Sequence, residues 1–446
     1  MPIVMKFGGT SVADAAAFEN VARIVSAERA AFPIVVVSAM SGVTDALLAA
    51  TLDSVGPIFS RHLTTAAQLL RGSELERFNE FVKRPQAEVR ELLHSQNPSN
   101  RKAVQDAVVS FGEILSSTLM AAVLNRRGVK ARQVDARRCI ITDAEHTCAA
   151  PLLEETFERT SQELTPLLET GVVPVLGGFI GATLEGATTT LGRGGSDYTA
   201  ALIGAALNVN EIQIWTDVTG VLTADPRVVP NAQTIDRLSY SEAAELAYFG
   251  AKVLHPKTIQ PAIENSIPVR ICNSRMPQER GTLVGPQSET SPRAVKAIAH
   301  KTGVTIVQIT SARMLGAYGF LRALFEVFER HRTVVDVVTT SEVSVSLSLD
   351  EANALPQIVD ELQQLGTVGI EKGRAIICVV GEGLRGTPGI AGRVFGTISD
   401  INVSLISQGA SSINLTFVIS EERVKEAVIR LHEEFFGREK GQKEGS

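Results

Sequence analysis

Residues 3–11 have the sequence IVMKFGGTS, a short apolar run that ends in two glycines. A helical pattern follows directly, because Phe18, Val21 and Val25 recur at helical spacing within residues 14–31. A strand that turns straight into a helix is the repeating unit of α/β folds with a mostly parallel sheet. This stretch therefore predicts the first strand and the first helix of such a sheet.

The alternation of strand and helix patterns continues well beyond this stretch. Runs rich in β-branched residues at 34–37, 172–175, 212–215 and 267–271 predict further strands, and helical patterns separate them. We predict one α/β domain at residues 1–285, with a largely parallel sheet.

The composition changes after this domain. Asn, Ser, Pro and Gly crowd residues 273–293, and we interpret 286–300 as a linker. Beyond it the chain repeats itself, since Ile306 aligns without a gap with Ile376. A gapless register over about 60 positions favours an internal duplication over a chance similarity of two βαββα patterns. We predict two ferredoxin-like units at 301–370 and 371–437, followed by a disordered tail at 438–446.

Composition and charge argue against several classes of partner. The chain has a net charge of −6 and no basic tail, which disfavours nucleic acid and anionic membranes. The N-terminus has no secretory signal, and no apolar run reaches the ~18 residues of a membrane-spanning helix. The four cysteines fit no zinc spacing and are interpreted as small buried side chains in a reducing compartment. We therefore expect a cytoplasmic protein without structural zinc.

Two glycine-rich segments have the pattern of anion binding. Gly8 and Gly9 let the backbone approach an anion closely, and Lys6 adds a positive charge at the end of the strand. Residues 188–199, TTTLGRGGSDYT, place Arg193 among three glycines directly before a helix, where a guanidinium can clamp a carboxylate. Taken alone, the first segment is explained equally well by an ordinary turn.

Several other polar positions have an ordinary explanation beside a functional one. Asp197 can cap the helix that follows it, or it can orient Lys6 or the ammonium group of a substrate. The loop at 215–227 is typical turn chemistry, yet it follows a strand at the end where open α/β sheets bind ligands. Lys252 can interact with a helix dipole or reach a phosphate. Glu113 lies within a helical pattern, where a lone glutamate is usually solvated.

Together these segments resemble the aspartate kinases of the amino-acid-kinase superfamily. The resemblance rests on KFGGTSV at 6–12 and GRGGSDYTA at 192–200, and its order and spacing cover the entire chain. The C-terminal repeat resembles paired ACT domains, and residues 314–321 and 340–344 are similar to the lysine-sensitive, single-function subclass. The resemblance implies an α/β fold, a three-layer αβα sandwich with a mostly parallel sheet, followed by two ACT units of order βαββαβ.

The resemblance also implies a reaction and its ligands. ATP would phosphorylate L-aspartate to give ADP and 4-phospho-L-aspartate, the first step toward lysine, threonine and methionine, with Mg²⁺ carried on the ATP. An amino-acid effector, expected to be L-lysine, would inhibit the enzyme at the ACT units. A homodimer or a higher homo-oligomer would form through the same units.

The family's site residues carry over position by position. The catalytic set would be Lys6, Gly8, Gly9 and Asp197. Aspartate would be bound by Ser38, Thr44, Glu113, Arg193, Gly194, Gly195 and Ser196. ATP would be held by Lys6, Gly8, Gly9, Thr10, Thr216, Asp217, Leu222, Arg227, Lys252 and Val253. The effector pocket would include Met314, Ala317, Gly319, Phe320, Leu321, Val334, Val335, Asp336, Ser341 and Glu342. No residue is assigned to a metal.

The sequence leaves alternatives open. A sibling kinase that phosphorylates another amino-acid carboxylate, such as that of glutamate, would use the same chemistry, and a non-catalytic amino-acid sensor would keep the repeat. The intact residues Lys6, Arg193, Asp197 and Lys252 favour a working kinase. The identity of the effector (lysine, threonine or both), the choice between dimer and tetramer, and an exchange of strands between the repeat units stay open.

Overall fold

The computed structural model describes residues 2–250, 254, 256–286, 294–350, 354–409 and 411–437. The chain divides into two compact units, of which the first comprises residues 1–221, 236–240 and 253–287. The second comprises residues 222–235, 241–252 and 288–446. Lys252, Val253, residues 287–293 of the predicted linker and the predicted tail at 438–446 lie outside the described residues.

The first unit alternates strands with helices, as the opening stretch predicts. Its strands are β1 (Ile3–Phe7), β2 (Pro33–Val37), β3 (Ala131–Val134), β4 (Val173–Gly177), β5 (Ile180–Ala182), β6 (Thr188–Thr190), β7 (Glu211–Thr216), β8 (Arg237–Ser239), β9 (Val269–Asn273) and β10 (Thr282–Gly285). Its helices are α1 (Ala15–Ala27), α2 (Val43–Leu48), α3 (Val55–Leu69), α4 (Gly72–Ser95), α5 (Arg101–Arg126), α6 (Leu153–Glu169), α7 (Gly195–Leu207) and α9 (Gln260–Glu264).

Eight of these strands form one sheet in the order β3-β4-β2-β1-β7-β9-β10-β8. All neighbours in it are parallel except β9 and β10. Helix α5 packs against β2, β3, β4 and α1, whereas α7 packs against β1, β2, β7 and α6. Helices on both faces bury the central strands, which explains their nearly continuous apolar sequences. The predicted αβα sandwich with a mostly parallel sheet is confirmed.

Helix α5 is a core helix of this unit. Among the helices that the structure describes, it is long and apolar enough to cross a membrane, but 83% of its apolar window is buried inside the protein. Phe111, Leu115 and Leu119 are almost inaccessible to solvent. A helix that is apolar on all sides is expected where every side contacts protein, so its hydropathy reflects the core.

The second unit contains the C-terminal repeat and one helix from the middle of the chain. That helix is α8 (Tyr240–Tyr248), which belongs to this unit from residue 241 onward. The strands are β11 (Ala297–Thr310), β12 (Val335–Thr340), β13 (Ser344–Leu349), β14 (Thr367–Val380), β15 (Val403–Gln408) and β16 (Asn414–Ser420). The helices are α10 (Phe320–Arg330), α11 (Leu355–Leu362), α12 (Ile390–Thr397) and α13 (Val424–Phe436).

The two repeat units share one six-stranded sheet, in the order β12-β13-β11-β14-β16-β15. Residues 305–310 of β11 pair with β13, while residues 297–301 of the same strand pair with residues 376–380 of β14. Residues 367–371 of β14 also pair with β11, at residues 306–310, and residues 374–380 pair with β16. Each repeat unit therefore receives part of a strand from the other, an exchange that the sequence left open.

This sharing corrects the predicted boundaries. Residues 297–300, which the predicted linker includes, are paired strand, because Ala297 and Ile298 bury their side chains and bond to β14. The predicted division between residues 370 and 371 falls inside β14, which runs through it without a break. A single strand that serves two hydrophobic cores shows no local signal at the point where it passes from one to the other.

A segment of the predicted 1–285 domain also folds with the second unit. Ala224, in the segment 222–235, packs in the hydrophobic core of the second repeat unit. The Ile298 N–H donates a hydrogen bond to the Thr223 carbonyl oxygen at 2.8 Å. Nothing in the local pattern of this segment indicates which of two cores it joins, and the contiguous boundary was the simplest interpretation.

Buried His62 on α3 is expected to make the first unit acid-sensitive. Burial, together with the charge of Arg61, lowers the pKa of His62 to about 4. As the pH falls below 6.5, the unfolded chain takes up a proton that the folded chain accepts only near pH 4. The free energy of unfolding should therefore drop by roughly 2 kcal/mol between pH 7 and pH 5 through this group alone.

His62→Leu should abolish this component of the acid sensitivity, because leucine does not titrate. Urea denaturation at pH 7 and pH 5 measures the difference. The matched control is His94→Leu on α4, since His94 is exposed and its replacement should leave the pH dependence unchanged. Equal pH dependence in wild type and His62→Leu would contradict the assignment.

Candidate active site

The end of β1 and the start of α7 bring a lysine and an aspartate together. The Lys6 Nζ lies 2.6 Å from the Asp197 Oδ1, and the side chains are only 12% and 18% exposed. Asp197 does not cap α7, because Gly194 holds the N-cap position with a φ of 74° and Asp197 lies in the first turn. The capping interpretation is therefore wrong, and the carboxylate instead holds the Lys6 ammonium in place.

The two glycines after β1 have different roles. The Gly8 N–H donates to the Trp215 carbonyl oxygen at 3.1 Å, so this donor belongs to the sheet and is not available to a phosphate. A Cβ on Gly9 would lie 3.0 Å from the Ala39 carbonyl oxygen, so the backbone after β2 approaches this turn closely. Gly9 and the exposed Thr10 open a single 3-10 turn, whose first N–H groups have no partner within the turn.

Glu113 is buried in the middle of α5, contrary to the usual solvated position of a lone helical glutamate. Its Oε1 accepts a hydrogen bond from the Ala39 N–H at 3.1 Å. A Cβ on Gly177 would lie only 2.8 Å from the Glu113 Cβ, so the glycine lets the end of β4 approach the helix. Burial raises the pKa of Glu113 to about 8, although the bond from Ala39 opposes the rise. The carboxyl group is therefore mostly neutral at pH 7 in the absence of a cationic partner.

Two serines from separate elements meet beside this carboxyl group. The Ser38 hydroxyl, directly after β2, donates to the Ser196 Oγ on α7 at 3.1 Å. A Cβ on Gly178 would lie 2.7 Å from the Ser196 Cβ, which explains the second glycine after β4. Thr44, on the short helix α2, is half-buried. The ends of β2 and β4 thus converge on the start of α7.

Arg193 projects from a turn that two glycines make possible. Gly192 and Gly194 have φ values of 72° and 74°, in the left-handed region that glycine adopts without a penalty. Arg193 is exposed, and within the described part of the chain no carboxylate forms an ion pair with it. Gly195 is buried against Phe179. The guanidinium is therefore available to a carboxylate ligand.

The predicted nucleotide residues are divided between the two units. Thr216 is the last residue of β7, which lies next to β1 in the sheet, and the exposed Asp217 follows it. Leu222 and Arg227 belong to the second unit, where Asp225 binds the Arg227 guanidinium through both carboxylate oxygens. Lys252 and Val253 lie outside the described residues.

Five of the ten predicted effector residues lie just before or at the start of α10 in the second unit, and the other five lie on or beside β12. Met314, Phe320 and Val335 pack on the core of the first repeat unit. The exposed members are Ala317, Gly319, Leu321, Val334, Ser341 and Glu342. Gly319 is the N-cap of α10 with a φ of 85°.

Asp336 differs from these residues because its side chain is only 2% exposed and already bound. The Lys301 Nζ lies 2.9 Å from its Oδ2, and the Tyr248 hydroxyl donates to its Oδ1. Lys301 also lies 2.7 Å from Asp350. An effector ammonium that used Asp336 would therefore compete with Lys301 and with helix α8.

The backbone partners of the candidate site are not among the residues predicted from the sequence. The Ala39 N–H and the paired glycines Gly177 and Gly178 carry no chemistry of their own, yet they fix Glu113 and Ser196. A glycine pair directly after a buried strand is a signal of close backbone approach, and it could have been recognised. The hydrogen bond from Ala39 to Glu113 could not have been recognised, because it joins elements that are distant in the sequence.

Comparison with known proteins relates two parts of the chain to known families. The amino acid kinase family matches residues 1–273, and an ACT domain matches residues 377–435. Aspartokinase 3, chloroplastic, from Arabidopsis thaliana is 40% identical, over 97% of this chain and 81% of that protein.

Two solved structures of E. coli aspartokinase III are also similar. The complex with aspartate and ADP (R-state) has a TM-score of 0.81 and 37% identity, with 98% of this chain and 100% of that chain covered. The complex with lysine and aspartate (T-state) gives the same TM-score and identity, with 98% and 99% covered. The family match and the full-length relatives point to one conclusion: the chain belongs to the aspartokinase family, as a kinase of the amino acid kinase type with a C-terminal ACT region.

Proposed function

We propose that the protein transfers the γ-phosphoryl group of ATP to the side-chain carboxylate of L-aspartate, giving ADP and 4-phospho-L-aspartate. The observation that carries the proposal is one continuous set of contacts in the first unit. Lys6 forms an ion pair with Asp197. Ser196, which precedes Asp197, is hydrogen-bonded to Ser38. Ala39, which follows Ser38, donates its N–H to Glu113. A cation for a phosphoryl group and a buried carboxyl group for an ammonium thus share one site.

The residue types suit this transfer. The aspartate side chain is ionised at pH 7 and is itself the nucleophile, so no general base is required. Lys6 would neutralise charge on the transferring phosphoryl group, and Asp197 would keep its ammonium in position. Arg193 would bind the α-carboxylate of the substrate bidentately, and Glu113 would bind its ammonium. The protein's contribution is then mainly positioning and charge neutralisation.

ATP is expected to arrive with Mg²⁺, which supplies further charge neutralisation. Mg²⁺ usually keeps several waters and binds substrate phosphates together with one or two carboxylates. Asp217 is the exposed carboxylate in the predicted nucleotide set of the first unit, at the end of the strand beside β1. It would therefore face the metal or a metal-bound water, whereas Asp197 is engaged by Lys6.

The ACT region is proposed to bind an amino-acid effector, and L-lysine is the first candidate. The E. coli relative has been crystallised with lysine. In this chain Asp336 already holds the ammonium of Lys301 at 2.9 Å, so its surroundings suit a primary ammonium group. We also propose that the protein is a homo-oligomer formed through the ACT units, and that it is cytoplasmic.

The experiment that tests the function measures ADP release from Mg·ATP with L-aspartate, L-glutamate or no acceptor, each with and without L-lysine or L-threonine. We expect release that depends on aspartate and is suppressed by lysine. Release with glutamate instead would identify the sibling kinase. No release with any acceptor, from protein that still binds lysine, would identify an amino-acid sensor. Aspartate-dependent release that neither amino acid suppresses would retain the kinase and remove the effector assignment.

A further inference from the structure

A buried aspartate outside the proposed site bonds to the segment that carries Arg193. Asp106 lies on α5, two turns before Glu113, and it is only 1% exposed. An isolated carboxylate at such a position is strongly disfavoured unless hydrogen bonds compensate for its burial. The origin of these bonds therefore indicates what Asp106 holds in place.

Three polar groups from two segments lie within hydrogen-bond distance of the Asp106 carboxylate. The Thr190 hydroxyl donates to its Oδ1 at 2.6 Å, from the last residue of β6. The Thr147 N–H donates to its Oδ2 at 2.9 Å, and the His146 Nδ1 lies 3.0 Å from the same oxygen. A single buried carboxylate thus joins α5, β6 and the loop that precedes α6.

This loop packs on the turn from which Arg193 projects. Thr147 has a φ of 75°, a conformation that is uncommon for a threonine, and its N–H bond to Asp106 stabilises it. A Cβ on Gly192 would lie 3.4 Å from the Thr147 carbonyl oxygen and from the Cys148 Sγ. Cys148 is also the one exposed cysteine of the four, contrary to the sequence interpretation.

Thr190 connects the carboxylate to the arginine most directly. It is the third residue before Arg193, and its carbonyl oxygen accepts a hydrogen bond from the Ala149 N–H at 2.9 Å. Both sides of this residue are therefore fixed, the hydroxyl by Asp106 and the backbone by the loop. Between Thr190 and Arg193 there are only two residues in which the chain can deviate, so a displacement of β6 would move the guanidinium.

We infer that Asp106, with Thr190 as its link, is a positioning residue for Arg193 and so determines how tightly the site binds the substrate α-carboxylate. The inference rests on the proposed function, because it assigns Arg193 to that carboxylate. Asp106 does not touch the substrate and takes no part in phosphoryl transfer. Its loss should weaken binding of the amino acid and leave the nucleotide site as it is.

The test compares two replacements of Thr190. Thr190→Val keeps the shape of the side chain and removes the donor to Asp106, whereas Thr190→Ser keeps the hydroxyl. We expect Thr190→Val to raise the KM for aspartate roughly tenfold or more, because a misplacement of about 1 Å in a binding group has effects of up to about 10²-fold. The KM for ATP should change by less than about threefold. Thr190→Ser should restore the KM for aspartate to near the wild-type value.

A matched control uses the neighbouring hydroxyl pair. Thr142 and Thr189 are bonded at 2.7 Å between the same loop and the same strand, without contact to Asp106. Thr142→Val removes a comparable buried hydrogen bond, so it should lower the melting temperature while the KM for aspartate stays unchanged. Calorimetric titration of aspartate into each variant gives a second readout that does not depend on turnover.

Two results would overturn the inference. One is an equal KM for aspartate in Thr190→Val and Thr190→Ser, and the other is a rise in KM that is the same for aspartate and ATP or is reproduced by Thr142→Val. Failure of the proposed function has a different signature, since the wild-type protein would then release no ADP in response to aspartate. The two failures are therefore distinguishable.

Discussion

Lys6→Ala is expected to lower kcat by about 10²–10³-fold while the fold is retained. The ammonium of Lys6 is held 2.6 Å from Asp197 at the end of β1, where it would stabilise the charge of the transferring phosphoryl group. Removal of one preorganised group that stabilises charge in a transition state lowers kcat by about 10²–10³-fold. The replacement also leaves Asp197 without its Lys6 partner at a site that is mostly shielded from water.

The measurement is steady-state ADP release with saturating aspartate and ATP, accompanied by thermal denaturation. Lys83→Ala is the matched control, because Lys83 also forms an ion pair, with Glu80, but on the exposed surface of α4. That variant should retain wild-type kcat, since exposed ion pairs contribute little to stability. A Lys6→Ala protein that folds and keeps its kcat would remove Lys6 from the mechanism.

The first unit could be predicted well because its signals are local. The run from Ile3 to Phe7 is β1, and the β-branched run at 34–37 falls within β2. Each of these strands is buried on both faces, so its apolar character is visible without knowledge of its neighbours. The glycines and Arg193 before α7 are equally local, because the helix start and the left-handed turns depend on a few adjacent residues.

The environment of Glu113 could not be predicted, because other segments determine it. A glutamate in a helical pattern is usually solvated, and the residues that bury this one are Ala39 and Gly177, from different strand ends. Asp197 differs, because the sequence offers both a helix cap and an orienting role toward Lys6, and the structure pairs this carboxylate with Lys6 on β1. Side chains that meet across the sheet edge leave no periodic signal in the sequence.

The boundary between the two repeat units could not be predicted for the same reason. Residues 297–301 and 367–370 belong to long strands whose halves serve different cores, and a repeat alignment shows only the pattern that both units have in common. The predicted boundaries at 300 and 370 therefore cut through β11 and β14. The physical boundary is instead set by which buried side chains share a core, and that depends on pairing between β11 and β14.

Binding of aspartate is expected to release a proton from Glu113. Burial raises the pKa of Glu113 to about 8, so the free protein holds this group about nine-tenths protonated at pH 7. The substrate ammonium would bind the ionised carboxylate, and the proton must then leave. Because aspartate binds the ionised form, binding at pH 7 includes the free-energy cost of removing the proton from Glu113, and this cost disappears as the pH rises through 8. The KM for aspartate should therefore fall about tenfold between pH 7 and pH 9.

Calorimetric titration of aspartate in buffers with different ionisation enthalpies measures the released proton, and close to one proton per site is expected at pH 7. Glu113→Gln should abolish the release, because glutamine stays neutral, and should raise the KM for aspartate while removing most of its pH dependence. Glu80→Gln, which changes an exposed glutamate, is the control and should behave as wild type. If wild type and Glu113→Gln release the same number of protons, Glu113 does not bind the ammonium, and its burial serves the packing of α5 against the ends of β2 and β4.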